Sequence, residues 1–351
     1  MSKDRPQFIF NPYELAFCGF RNSGKTTLIT RLIEMQSGDH AAAYVKHEVT
    51  KAGGAYVGTS FMPPAATEAT AQIVALQEAI SESGANVLTI HGSQGGGAII
   101  LNSMVDAGIT DLQVGGIHGV AVIPFFEELP VEIRDNVFAV HGFLPANNDY
   151  EGAAEMRRCA DLAGFSGEWD HPLFAHGFLN GDIIEQALLR AGEQSGELTR
   201  ASVTAALHGE FDTLGISCPI DWSTVTHSPC ATALALGEGG QLEPVNPFEY
   251  YAEFFDLEYG IDALEDAPAP EAAAEPEVPD NPDEGVTSDE ILIGWMGDLT
   301  GPTASGQVPG NHGTLAAIEC LNERGGVFGR QVTIISEDDM AALDEQGIGK
   351  L

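Results

Sequence analysis

Between residues 55 and 191 short apolar stretches alternate with amphipathic stretches of 10 to 15 residues, which restricts the chain to few architectures. Residues 55–58, 87–90, 112–115 and 137–140 read as strands. Residues 68–82, 99–107, 150–163 and 180–191 read as helices, the first with Ile73, Leu76 and Ile80 on one side and the last with Ile183, Ile184, Ala187 and Leu188. Strands spaced by helices of this length call for an α/β fold with a parallel sheet. In such sheets ligands gather outside the carboxyl ends of the strands.

Ahead of this region lies a complete G-x-x-x-x-G-K-[ST] motif, Gly19 to Thr26. Leu15 to Cys18 suit a buried strand, and residues 26–34 read as a helix with Leu28, Ile29, Leu32 and Ile33 on its apolar side. A phosphate would meet backbone N–H groups at a helix N-terminus, with Lys25 on the β and γ phosphates and the Thr26 hydroxyl on Mg²⁺. Hydrolysis also needs an acidic residue after a later apolar strand to hold the metal. Residues 86–91 and 137–141 both end in His instead. Any enzymatic activity is therefore expected to be no more than a weak P-loop GTPase, and a binding protein is the better expectation.

Charge divides the chain near residue 50. Residues 1–51 hold seven basic against five acidic residues, a net of about +2, within a chain whose formal net charge is −37. From Ala201 to Glu323 there is no Lys or Arg. So acidic a chain lacks the basic patch that nucleic acids and anionic membranes require. Neither a signal-peptide pattern nor an 18-residue apolar run occurs, so no direct membrane insertion is expected. Residues 258–287 are rich in Pro, Ala, Asp and Glu and lack aromatic side chains except Tyr259. They read as a solvated acidic linker. The expected domains are a P-loop segment at 1–50, an α/β domain at 51–257, the linker at 258–287 and a partial domain at 288–351.

Two family resemblances overlie this pattern. The run YELAFCGFRNSGKTTLITRLIE with AAAYVKHEV, residues 13–48, resembles the start of the MobB-type adaptor, a GTP-binding protein of molybdopterin-guanine dinucleotide biosynthesis. That resemblance implies GTP with Mg²⁺ at Gly19, Asn22, Ser23, Gly24, Lys25, Thr26 and Thr27, Thr26 being the metal ligand. Residues 52–108, with supporting stretches at 112–125, 175–192 and 211–245, resemble the C-terminal lobe of a type I periplasmic-binding protein of the branched-chain amino-acid group. The stretch SDEILIGWMGDLTGPTASGQVPGNHGTLAAIECLNERGGVFGRQVTIISEDD, residues 288–339, resembles the mature N-terminus of the same family. Family members run N-lobe first; here the order is reversed and the N-lobe is incomplete.

The second resemblance implies lobe closure around an amino acid or similar small polar solute, no required cofactor, an ABC permease as partner and an extracytoplasmic location. Its candidate ligand residues are Thr300, Ser305 and Gln307 after the first N-lobe strand, and Ser93, Gln94 and His118 at C-lobe strand ends. The P-loop segment would instead imply a cytoplasmic protein. Among five cysteines, Cys218 and Cys230 flank an expected hairpin and could pair, but the odd count and Cys18 beside the phosphate loop favour buried free thiols. His171 and His176 have no companion at zinc spacing, and no G-x-S-x-G elbow occurs. Three functions follow: the solute-binding component of an ABC importer, a GTP-binding adaptor in molybdenum cofactor biosynthesis, or a fusion without ligand.

Overall fold

The computed structural model describes residues 14–19, 54–62, 67–91, 94–116, 122–223, 230–250, 285–301 and 304–339. The phosphate-loop motif beyond Gly19 and its expected helix lie outside them, as do Ser93, His118 and most of the expected linker. The chain forms two compact units, each built from separate pieces: Met1–Gly142 with Ala231–Glu249, and Phe143–Cys230 with Tyr250–Leu351.

The first unit is built on a sheet. Its strands are β1 (Glu14–Gly19), β2 (Ala55–Phe61), β3 (Val87–His91), β4 (Gln113–Gly116), β5 (Val137–His141), β8 (Cys230–Leu236), β9 (Leu242–Pro244) and β10 (Glu249–Tyr250), in the order β10-β8-β5-β4-β3-β1-β2 with β9 on β8. β3, β4 and β5 are parallel, and the crossovers between them carry α2 (Gln94–Asp106), α3 (Ile123–Glu127) and α4 (Val131–Arg134). Helix α1 (Thr70–Ser83) joins β2 to β3 and buries Ile73, Leu76 and Ala79. It ends at Gly84, whose φ of 65° lets its N–H return to the Ile80 carbonyl at 2.9 Å. All five residues of β5 are buried, as both faces of a covered parallel strand should be.

The expected parallel sheet is present in β3, β4 and β5, and antiparallel strands flank it, so the sheet as a whole is mixed. β1 is antiparallel to both β2 and β3, which therefore run parallel to each other with β1 reversed between them. β8 is antiparallel to β5, and β8 and β9 form a hairpin closed by the Gly237 N–H on the Gln241 carbonyl at 2.8 Å. An apolar run says that a segment is a strand but carries no direction. The break expected near residue 51 is corrected, because β1 on its near side is hydrogen-bonded to strands on its far side.

The second unit is built on helices. It contains α5 (Ala153–Leu162), α6 (Pro172–Ser195), α7 (Arg200–Ala206), the two-residue strands β6 (Glu210–Phe211) and β7 (Ile220–Asp221), then β11 (Glu290–Gly297), α8 (Ala304–Glu323) and β12 (Gln331–Asp338). β11 and β12 form a separate two-stranded parallel sheet. Residues 175–192, expected in one domain with residues 52–108, instead pack on α8. A single α/β domain at 51–257 is thereby corrected.

Glycines set the distance between α6 and α8. A Cβ on Gly177 would lie 1.8 Å from the Gly310 carbonyl oxygen, and one on Gly313 would lie 2.1 Å from that of Phe174. The Thr314 hydroxyl donates to the Gly177 carbonyl at 3.0 Å across this contact. Glycine inside a helix costs about 1 kcal/mol against alanine. Here it permits backbones to meet, with Phe174, Phe178, Ala316 and Ala317 filling the core on either side.

A disulfide, Cys159–Cys320, ties α5 to α8 across 161 residues, and a second joins Cys218 to Cys230 across 12. The second pair is bonded where the sequence favours buried free thiols, and the described strands around it do not form the expected hairpin, since β7 pairs with β6 and β8 with β5 and β9; nothing local announces the first. On the other side of α8, Ile291, Ile318, Leu321 and Val332 share an apolar cluster with Leu188 and Val286. Val286 bridges to Ile291, so the end of the expected linker, from residue 285, is folded chain.

Several boundaries differ from the sequence expectations for local reasons. α6 starts at Pro172 rather than near residue 180, because Pro suits the first helical position and the His171 side chain accepts the Leu173 N–H at 3.1 Å. α5 starts at Ala153 rather than Tyr150, whose hydroxyl donates to the Leu144 carbonyl at 2.9 Å. α2 starts at Gln94 rather than residue 99, its three glycines lying in the first turn.

Candidate functional site

The carboxyl ends of β11 and β12 lie side by side, with Gly297 in register with Asp338. The chain leaves β11 through Asp298, Leu299, Thr300 and Gly301 and enters α8 at Ala304. This loop is held by carboxylates. Asp338 accepts the Leu299 N–H at 2.9 Å through Oδ1 and the Thr300 hydroxyl through Oδ2. The buried Asp298 accepts the Gly301 N–H, and the Asp339 N–H donates to the Gly297 carbonyl at 3.1 Å. Deeper in, the Asn311 amide donates to the Ser336 hydroxyl at 2.8 Å, fixing the first turns of α8 to the end of β12.

The structure brings Thr300, Ser305 and Gln307 to this one place. All three are exposed, Ser305 and Gln307 in the first turn of α8. No acidic residue occupies that turn itself, and the nearby negative charge comes from Asp298 in the loop before it and from Asp338, which holds that loop. Gly297 has little room: a Cβ there would meet the Trp295 ring at 2.5 Å and Gln307 Oε1 at 3.2 Å. The carboxylates Asp298 and Asp338 are the site residues that sequence reasoning missed. Asp298 carried a signal, as the first acidic residue after its strand, whereas Asp338 follows Glu337 and owes its place to the pairing of β12 with β11.

The other candidates lie in the first unit. β3 and β4 are adjacent and parallel, so their carboxyl ends lie at the same edge of the sheet. Gln94 opens α2. Ser93, His118 and the side chain of Gln94 lie outside the described residues. The phosphate-loop strand runs the other way: Cys18 pairs with Val87 and Gly19 with Ala55, so β1 delivers its carboxyl end to the amino-terminal edge of β2 and β3. Asn22, Ser23, Gly24, Lys25, Thr26 and Thr27 are not described.

Titratable groups elsewhere in the second unit serve the fold. Burial holds His171 down at about 4, consistent with a neutral ring that accepts the cap bond. Burial pushes Asp182 up to about 6, with Glu185 and Asp212 adding to the rise against the Gln186 hydrogen bond. His176 stacks on Phe143 at 4.2 Å. His312 stacks on Phe165 at 4.1 Å and meets Glu168 at 2.7 Å. Among the described residues the one grouping close enough to share a metal is Glu155, Cys159 and Cys320, and its sulfurs are already bonded to each other. No described helix is long and apolar enough to cross a membrane.

A family profile described as periplasmic binding protein matches residues 21–238 and 290–345. The first span opens inside the phosphate-loop motif and takes in Lys25 and Thr26. No curated protein matches the chain. Among solved structures, a branched chain amino acid ABC transporter from Thermus thermophilus with bound valine is similar at 18% identity, covering 64% of this chain and 60% of that one, with a TM-score of 0.51. This chain thus spans about three-fifths of that protein's length. A fatty acid ABC transporter substrate-binding protein from Thermomonospora curvata shares 13% identity over 62% of this chain and 56% of its own, with a TM-score of 0.44. An ABC transporter substrate binding protein from Aeropyrum pernix shares 16% over 51% and 48%, with a TM-score of 0.41. At 18% identity the likeness to the Thermus protein is one of fold.

Proposed function

Because this chain belongs to the periplasmic binding protein family, we propose that it is the solute-binding component of an ABC-type importer, taking an amino acid or similar small polar molecule. The observation that carries this reading is the polar loop at the carboxyl ends of β11 and β12, inside the span matched by the family. The N–H groups of the first turn of α8 suit a carboxylate, and Asp338 beside them suits an ammonium group. Ser305 and Gln307 add an exposed hydroxyl and amide. Ser93, Gln94 and His118 remain proposed ligand residues on the strength of sequence position. The valine of the Thermus structure makes zwitterions the first class to test. An ABC permease is the proposed partner, and two disulfides favour an oxidising, extracytoplasmic setting.

A second reading keeps the phosphate loop as a GTP and Mg²⁺ site at Gly19 to Thr27, in the manner of a molybdenum cofactor adaptor. Its support is the complete motif. A thermal-shift panel of the twenty amino acids and of GTP with Mg²⁺ separates the two. Ligand at 100 times its Kd adds about 2.7 kcal/mol of stability. We expect a shift with at least one amino acid and none with GTP. A GTP shift abolished in Lys25→Ala would reverse the order of the readings, and silence from every ligand would leave a fusion without ligand.

A further inference from the structure

The β11–β12 ribbon has two unlike faces. Ile291, Ile293, Val332 and Ile334 face the cluster beneath α8. The opposite face presents Glu290, Leu292, Gly294 and Met296 from β11, in register with Gln331, Thr333, Ile335 and Glu337 from β12. Leu292, Met296 and Ile335 are 37%, 39% and 46% exposed, and they are three of the eight large apolar side chains exposed among the described residues. Between them Gly294 leaves a dent, since a Cβ there would meet nothing within 4 Å.

Strands of a parallel sheet are ordinarily covered on both faces, most often by helices. Here the apolar strip is bracketed along the strands by Glu290, which accepts the Thr333 hydroxyl at 2.7 Å, at one end and Glu337 at the other, and the described residues of this face include no Lys or Arg. Arg330, just before β12, is buried and donates to the Thr287 carbonyl at 2.6 Å. A second copy of this chain, at a formal charge of −37, would bring like charge to the same face.

We propose that this face docks a basic amphipathic helix of another polypeptide, with an apolar stripe over Leu292, Met296 and Ile335 and Lys or Arg near each end. An eight-residue strand spans roughly 25 Å, which a helix of about 16 residues matches. The dent at Gly294 receives a large side chain from the middle of that stripe.

The test uses the full chain with ¹³C-methyl-labelled methionine and synthetic peptides of about 16 residues. The first peptide carries a leucine stripe with lysines at both ends, the second replaces each Lys by Glu, and the third scrambles the first at unchanged charge. The Met296 methyl signal, assigned through Met296→Leu, is expected to move with the first peptide alone. Affinity should fall at least tenfold in Ile335→Ser and in Glu337→Lys, two exposed positions where folding is not at stake. Equal binding of the scrambled peptide would overturn the proposal, as would an unmoved Met296 signal. A Met296 signal that changes with protein concentration without peptide would assign the face to a second copy. A signal already shielded from a soluble relaxation agent in the free protein would assign it to a segment of this chain.

Discussion

The two units reach stability by opposite routes. In the first, hydrogen-bond ladders join the strands, β3 to β5 and the β8–β9 hairpin linking near neighbours in sequence while β5 reaches β8 some 95 residues on. In the second, α6 and α8 come from segments more than 100 residues apart, and glycines, an apolar core and the Cys159–Cys320 bond hold them together. The difference teaches that a chain can be locally ordinary throughout and still assemble one of its bodies from pieces that the sequence sets far apart. It also puts the candidate loop in the body that depends most on long-range contacts.

The largest expected effect tests that dependence. Closing a loop of 161 residues restricts the unfolded chain by about 5 kcal/mol in the entropic treatment, against about 3 kcal/mol for the 12-residue Cys218–Cys230 loop. Cys159→Ala with Cys320→Ala should therefore lower the urea midpoint of the second unit more than Cys218→Ala with Cys230→Ala. The first unit's transition, followed by hydrogen exchange of β3 to β5, should stay in place. A common loss of both units would show that they unfold as one.

Glycine substitutions sharpen the contrast. Gly177→Ala places a methyl group against the Gly310 backbone, where a rigid helix must move, and should cost about 3 kcal/mol. Gly95→Ala in the first turn of α2 meets nothing within 4 Å and should gain up to about 1 kcal/mol from helix propensity. Thermal melts of the two variants should move in opposite directions. Equal and small shifts would remove the close approach of α6 and α8 from the account.

A smaller effect belongs to pH. As pH falls from about 6.5 towards 4, the unfolded chain protonates His171 while the folded chain resists, so this group withdraws stability across that window. Asp182 acts the other way: its raised value means that the folded chain keeps a proton up to about 6, so stability from this group grows as pH falls from 6 towards 4. His171→Asn keeps a cap acceptor without the titration, and Asp182→Asn removes the opposing term. Denaturant midpoints at pH 4.5 and 7 should show the acid loss reduced in the first variant and enlarged in the second.

How much of this was legible in the sequence varies by element. The strands β2 to β5 and the helices α1, α5 and α6 announce themselves by apolar spacing, with ends displaced by the His171 cap, the inward turn of Tyr150 and the glycines that open α2. The direction of β1 does not, because Leu15 to Cys18 would read the same in either sense. The partnership of α6 with α8 left a trace in the four-residue spacings Gly177–Gly181 and Gly306–Gly310, which look like mere helix weakness until both helices are placed together. At the candidate site, the nearness of Thr300, Ser305 and Gln307 could be expected because they share one short loop and helix start. Asp338 was not, since its role depends on a strand pairing across 40 residues.

The most direct measurement is a calorimetric titration of the chain, and of Ser305→Ala with Gln307→Ala, with the amino acid that gives the largest thermal shift. Both side chains are exposed, so the variant should melt where the parent does. One site is expected, weakened about tenfold in the variant, equivalent to about 1.4 kcal/mol. Equal affinity in both proteins, or no heat from any amino acid, would contradict it.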